Sequence, residues 1–144
     1  MTELAFLAPP GGPLVHPWCG SANALVEAVA GQAPLWWLRG SRMRTRQGLM
    51  DEWAAAAQFP PYFGGTWDAL RDSLSDLPEG GTFLLLEADQ LLQDAPPSEA
   101  ATWLAVLRAV AQDLAPRTFR VVLQAESERF PALVEGLRAL GALD

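Results

Sequence analysis

The sequence predicts an α/β fold, a small three-stranded parallel sheet packed with helices and preceded by an N-terminal extension. Three observations carry that expectation. Short apolar runs occur in "PLWWLRG" (34–40), in Thr82 to Leu86 and in "RTFRVVLQA" (117–125). Segments with apolar residues at helical spacing separate them, and strands that alternate with helices as unbroken apolar runs belong to parallel sheets joined by right-handed crossovers. The third observation is a change of texture near residue 34, because Pro9, Pro10, Gly11, Gly12 and Pro13 break any regular element upstream. Residues 1–33 are therefore read as a partly irregular extension and 34–144 as the domain.

The elements follow in chain order. In "SANALVEAVAG", Ser21 is an N-cap, Leu25, Val26 and Val29 form an apolar stripe and Gly31 is a stop, which gives a short helix. After the first strand, Leu49, Met50, Trp53, Ala56 and Ala57 recur at helical spacing until Phe59-Pro60-Pro61 halts them. A helix from about Trp67 to Leu77 carries Trp67, Leu70, Leu74 and Leu77 toward the core. The second strand, Thr82 to Leu86, leads to a long helix over Ala100 to Leu114, with Trp103, Leu104, Leu107 and Val110 inward. Pro116 ends that helix, the third strand follows, and a last helix starts near Pro131.

Charge is distributed unevenly. The chain has a formal net charge of −7, and all ten of its basic residues are arginine. Arg39, Arg42, Arg44 and Arg46 crowd together, whereas Gln47 to Glu99 holds ten acids against Arg71 alone. That field repels nucleic acid and attracts basic partners.

Enzyme chemistry finds few candidates. There is no lysine for a Schiff base or a phosphate clamp and a single histidine, His16. The glycines of "YFGGTW" miss the spacings of dinucleotide and phosphate-binding loops and lead into carboxylates. Asp68 and Asp72, four apart on one helix, lie too close and too parallel to flank a glycosidic bond. Asp68, Asp72 and Asp76, with Glu79, offer oxygen ligands from one side only, a poor cage for a hard cation. His16 and the lone Cys19 are too few for a Cys/His metal site, and a buried or idle thiol is the plainer reading. No cofactor, metal or catalytic residue is expected. The start "MTELAFLAPPGG" lacks a basic region ahead of its apolar residues, and no apolar run approaches bilayer length. A cytoplasmic, monomeric protein that binds neither nucleic acid nor membrane is the expectation.

One stretch remains, "FPPYFGGTWDALRDSLSDL", Phe59 to Leu77. Thr66 is positioned as N-cap, and Asp68 in the first turn suits the helix dipole and can pair with Arg71. Asp72 gains nothing from the dipole and Asp76 is opposed by it, while each Asp–Asp neighbour costs roughly 0.2–0.5 kcal/mol. A solvated face and a face awaiting a cationic partner explain this equally well. Trp67 reads either as core or as an exposed aromatic anchor.

The stretch resembles the signature of the barstar family, inhibitors of small secreted microbial ribonucleases. Pro60, Tyr62, Phe63, Gly64, Asp68, Ala69, Leu70, Asp72 and Leu74 match it. Trp67 fills a hydrophobic slot, Thr66 replaces an asparagine and Ser73 a cysteine. The likeness covers about Pro34 to Gln124. It implies a three-stranded parallel sheet with helices, and a signature helix that plugs a nuclease active site. By that resemblance Asp72 stands in for a substrate phosphate, Asp68 adds an anionic contact at the rim, Tyr62 stacks on the nuclease's histidine and Gly64 permits close backbone approach. The implied partner-binding residues are Tyr62, Phe63, Gly64, Thr66, Trp67, Asp68, Arg71, Asp72 and Asp76. Arg71 departs from the pattern, standing where the best-studied member has an aromatic. The family's accessory glutamate on the later helix has no clear counterpart, because Arg108 or Ala109 falls near its place. The resemblance implies an inhibitor of a ribonuclease or related toxin, with antitoxin or immunity duty; a protein-interaction module with a non-nuclease partner is the alternative.

Overall fold

In the structure, a computed structural model that describes residues 14–31 and 34–143, four strands form one parallel sheet. They are β1 (Val15–Cys19), β2 (Leu35–Arg39), β3 (Gly81–Leu86) and β4 (Phe119–Ala125), in the order β1-β4-β3-β2. The helices are α1 (Ala22–Ala28), α2 (Arg46–Ala57), α3 (Trp67–Ser75), α4 (Pro97–Leu114) and α5 (Phe130–Ala139). The α/β class and the three expected strands are present, but the expectation of a three-stranded sheet is corrected by β1.

That fourth strand was hidden by its composition. His16 and Pro17 interrupt the apolar run, and proline is excluded from central strands but tolerated at an edge. β1 is an edge strand in register with β4, Val15 opposite Val121 and Cys19 opposite Ala125. The Gly20 N–H donates to the Ala125 carbonyl, so strand alternation turns the Pro17 nitrogen outward, where no donor is needed. Alternation also puts His16 and Cys19 on opposite faces, with His16 buried and Cys19 exposed, so the two do not form one site.

The two faces of the sheet are covered unequally. One packs against α2, α3, α4 and α5 through Leu38, Phe83, Leu85, Val121 and Leu123. Phe83 is its hub: its ring stacks on Trp36 at 4.5 Å and meets Trp53 at 4.5 Å and Phe119 at 5.7 Å. Aromatic pairs at such spacing add to the free energy of burial itself. The other face carries Trp18, Leu84, Leu86 and Val122 under Leu25 of α1 and Val29, its C-cap. Ser21 caps α1 as expected, its Oγ accepting from the Ala24 N–H at 3.1 Å. Val26 is not part of the buried stripe; it is 47% exposed. A seven-residue helix presents only about two turns, and Leu25 and Val29, four apart, already fill its inner side.

Helix boundaries shift by a few residues from expectation. α4 begins at Pro97 rather than Ala100, since a proline at the first position of a helix needs no N–H partner. α3 stops at Ser75, and Asp76 becomes its C-cap. Among the described residues, no helix is long and apolar enough to cross a membrane.

Candidate functional site

The site is built by the loop that leaves α2 and by α3. Gln58 ends α2 in a left-handed conformation, and the Phe59 N–H donates back to the Ala54 carbonyl. A turn closes from the Phe63 N–H to the Pro60 carbonyl at 2.9 Å, and the Phe59 and Phe63 rings meet at 5.0 Å. These contacts pin the loop from beneath. Tyr62, at its tip, is 87% exposed. Gly65, with φ +68°, supplies the left-handed residue that turns the chain into α3, whereas Gly64 is exposed with open space around it.

α3 is two-sided. Thr66 caps it, Oγ1 accepting from the Ala69 N–H at 3.1 Å. Leu70 and Leu74 are fully buried, and Trp67 and Leu77 pack partly buried against the same core. Burying each of the two leucines is worth about 1.5–3 kcal/mol, which fixes the rotation of the helix. Asp68, Asp72 and Asp76 are consequently exposed, Asp68 and Asp72 one above the other and Asp76 just beyond the last turn. Among the described residues, no group of three or more acids, histidines or cysteines is arranged to hold a metal ion.

Three contacts tie this helix to α4. Arg71 does not pair with Asp68. Its Nε donates to Asp113 Oδ2 at 2.9 Å and its Nη2 to Asp113 Oδ1 at 3.0 Å, a two-pronged ion pair across the helices. Ser75 Oγ donates to the same carboxylate at 2.8 Å. Hydrogen bonds from Arg71 and then Ser75 hold the Asp113 carboxyl well below its ordinary range, at about 2. The same Asp113 contacts raise the pKa of Arg71, with smaller help from Asp72 and Asp68. Trp67 turns inward rather than out, and its indole N–H donates to Glu99 Oε2 at 2.9 Å.

Asp113, Ser75 and Glu99 were not singled out from sequence. Asp113 lies one helical turn past Ala109, and its contact with Arg71 spans 42 residues of chain, so no local pattern announces it. Of the residues that were singled out, Tyr62, Gly64, Thr66, Asp68, Arg71, Asp72 and Asp76 reach solvent on one loop and helix. Phe63 and Trp67 are half-buried supports.

This loop, capped helix and paired carboxylates fall inside the span matched by a family model described as Barstar (barnase inhibitor), residues 34–125. The chain belongs to the barstar family. The barstar match starts just before β2 and ends with β4, so it holds the whole of α2, α3 and α4 and leaves β1, α1 and α5 outside. No curated protein is significantly similar to the chain.

Proposed function

We propose that the protein inhibits a small microbial ribonuclease or related toxin, inserting the Tyr62 loop and the acidic side of α3 into the nuclease active site. Membership of an inhibitor family supports the class of activity. The observation that carries the reading to these residues is the two-sided α3, with Leu70 and Leu74 fully buried and Asp68 and Asp72 turned to solvent. A nuclease that binds RNA must present cations, and carboxylates carried on a folded helix can occupy the place of a phosphate without the cost of ordering their backbone. Asp72 takes that place, Asp68 serves the rim and Tyr62 stacks on an active-site ring. The fold presents the face, and catalysis has no part in it.

The test is RNA cleavage by a panel of small microbial ribonucleases, with wild type and Asp72→Ala compared. Truncating one member of a buried, hydrogen-bonded charge pair costs roughly 2–5 kcal/mol, a range to which this family's best-studied complex itself contributes. Inhibition by the wild type should therefore weaken at least about 30-fold in Asp72→Ala. Undiminished inhibition by the variant would remove the phosphate-mimic mechanism. Failure to inhibit any nuclease, with another protein captured by the acidic face, would favour an interaction module with a different partner.

A further inference from the structure

We propose that the cleft at the carboxyl ends of β1, β3 and β4 binds a small zwitterion of the α-amino-acid type, of net charge zero or +1. In open parallel sheets, ligands bind beyond the carboxyl ends of the strands, where neighbouring strands send their chains to opposite faces. β1 and β4 are such neighbours. From β1 the chain enters α1, which packs with Trp18, Leu84 and Val122 on one face. From β4 it passes to α5, whose Leu133 and Leu137 pack with Leu85, Val121 and Leu123 on the other.

A cavity of about 460 Å³ opens at this divergence, within the size range of small-molecule sites. Ala22, Gln124, Glu126 and Arg129 line it from the two departing chains, and Arg39 and Glu87 from the adjoining strand ends. Its floor is rigid. Gln124, only 2% exposed, donates from Nε2 to the Gly20 carbonyl at 2.7 Å and accepts at Oε1 from the Glu87 N–H at 2.9 Å. Glu87 is held in a left-handed conformation, φ 54° and ψ 43°, a strain that in non-glycine residues concentrates at ligand clamps. Gly40 allows this approach, because a Cβ there would strike the Glu87 carbonyl oxygen.

Charge selects the ligand. Arg44, also in the wall, is spent on Asp94 at 2.8 and 3.0 Å. The remaining charged lining is Arg39 and Arg129 against Glu87, Asp89 and Glu126, a net of −1. Arg39 and Glu87 lie in a loose ion pair at 3.9 Å, and Glu87 also accepts from Ser41 Oγ at 2.9 Å. Among the described residues, Arg129, Asp89 and Glu126 are the charges without such a pairing inside the wall. A phosphate ester would add nearly two negative charges beside three carboxylates. A zwitterion instead offers its carboxylate to the guanidiniums and its ammonium to the carboxylates. A basic side chain completes neutrality, so L-arginine should bind more tightly than L-glutamate.

Amide chemical-shift titrations of the full chain with L-arginine, L-glutamate and inorganic phosphate test this. The expected result is saturable shifts at Gly20, Ala22, Glu87 and Glu126 with L-arginine, with L-glutamate weaker by about tenfold and phosphate without effect. Arg129→Ala and Glu126→Gln, both at exposed positions, should each weaken L-arginine about fivefold without altering thermal unfolding. Asp72→Ala should leave the titration unchanged, which separates this site from the inhibitory face. Tighter binding of phosphate than of L-arginine, shifts that ignore both cavity variants, or no saturable response to any of the three would overturn the proposal.

Discussion

Arg71 and Asp113 face each other across α3 and α4 with both guanidinium–carboxylate contacts made, at 2.9 and 3.0 Å. The pair draws the cation of α3 sideways, toward α4, and leaves Asp68 and Asp72 turned to solvent. It also decides how the face responds to substitution and to pH.

Removing the cation should quicken association. Arg71→Ala makes the face more negative by one charge, and steering scales with that charge. Stopped-flow association with an inhibited nuclease should accelerate about two- to fivefold at low salt. The gain should fade near physiological ionic strength, where the screening length is about 8 Å. An unchanged rate at low salt would mean that Asp113 already cancels Arg71 at the distance of encounter.

Acid should release the pair at an unusually low pH. The Asp113 carboxyl in the folded protein sits at about 2 against an ordinary 3.8. A folded-state value below the unfolded one means that its contribution is complete above about pH 4 and is lost as pH falls toward 2. A carboxyl titration followed by NMR should place the Asp113 midpoint near the lower value. The midpoint should climb toward the ordinary value in Arg71→Ala and by less in Ser75→Ala, since Arg71 is the larger cause. A midpoint that Arg71→Ala fails to move would show that the pair does not persist in solution.

Trp67 tests how firmly α3 is fastened to α4. Trp67→Phe removes the hydrogen bond to Glu99 and part of a core-packed ring, and should cost about 1–3 kcal/mol in urea unfolding. Glu99→Gln keeps an acceptor for the indole N–H and should cost less. Equal losses from the two changes would mean that the charge on Glu99, rather than the indole contact, is what matters.

The two loop glycines should behave differently. Gly65→Ala forces a side chain into a backbone with φ +68° and should destabilise by about 1–2 kcal/mol. At Gly64 a Cβ would meet nothing closer than the Ala69 Cβ, at 4.0 Å, so Gly64→Ala should leave the unfolding midpoint nearly unchanged. A clear loss of nuclease inhibition by Gly64→Ala, with stability intact, would mark Gly64 as a point of close approach by the partner.

Elements that declare themselves by periodicity were legible in the sequence. Leu70 and Leu74 set the rotation of α3, Thr66 marked its start, and the apolar runs of β2, β3 and β4 placed the sheet. β1 was not legible because its Pro17 violates the pattern of a central strand, and only the sheet's closing order makes it an edge. The ties between α3 and α4 were invisible for another reason. Arg71 to Asp113 and Trp67 to Glu99 join residues 42 and 32 positions apart, and their meeting depends on helix packing rather than on any spacing along the chain. Arg71, read alone, was a misplaced cation; with Asp113 beside it, it is a brace.

At β1 the outward-turned Pro17 offers no donor to an incoming strand, and at β2 the Glu52 carboxylate takes the Arg39 N–H at 2.9 Å. A sheet blunted at both borders resists templating a further strand from another chain. Backbone pairing is thereby discouraged as a route of association, which leaves contacts between side chains and guards the protein against strand-mediated polymerisation.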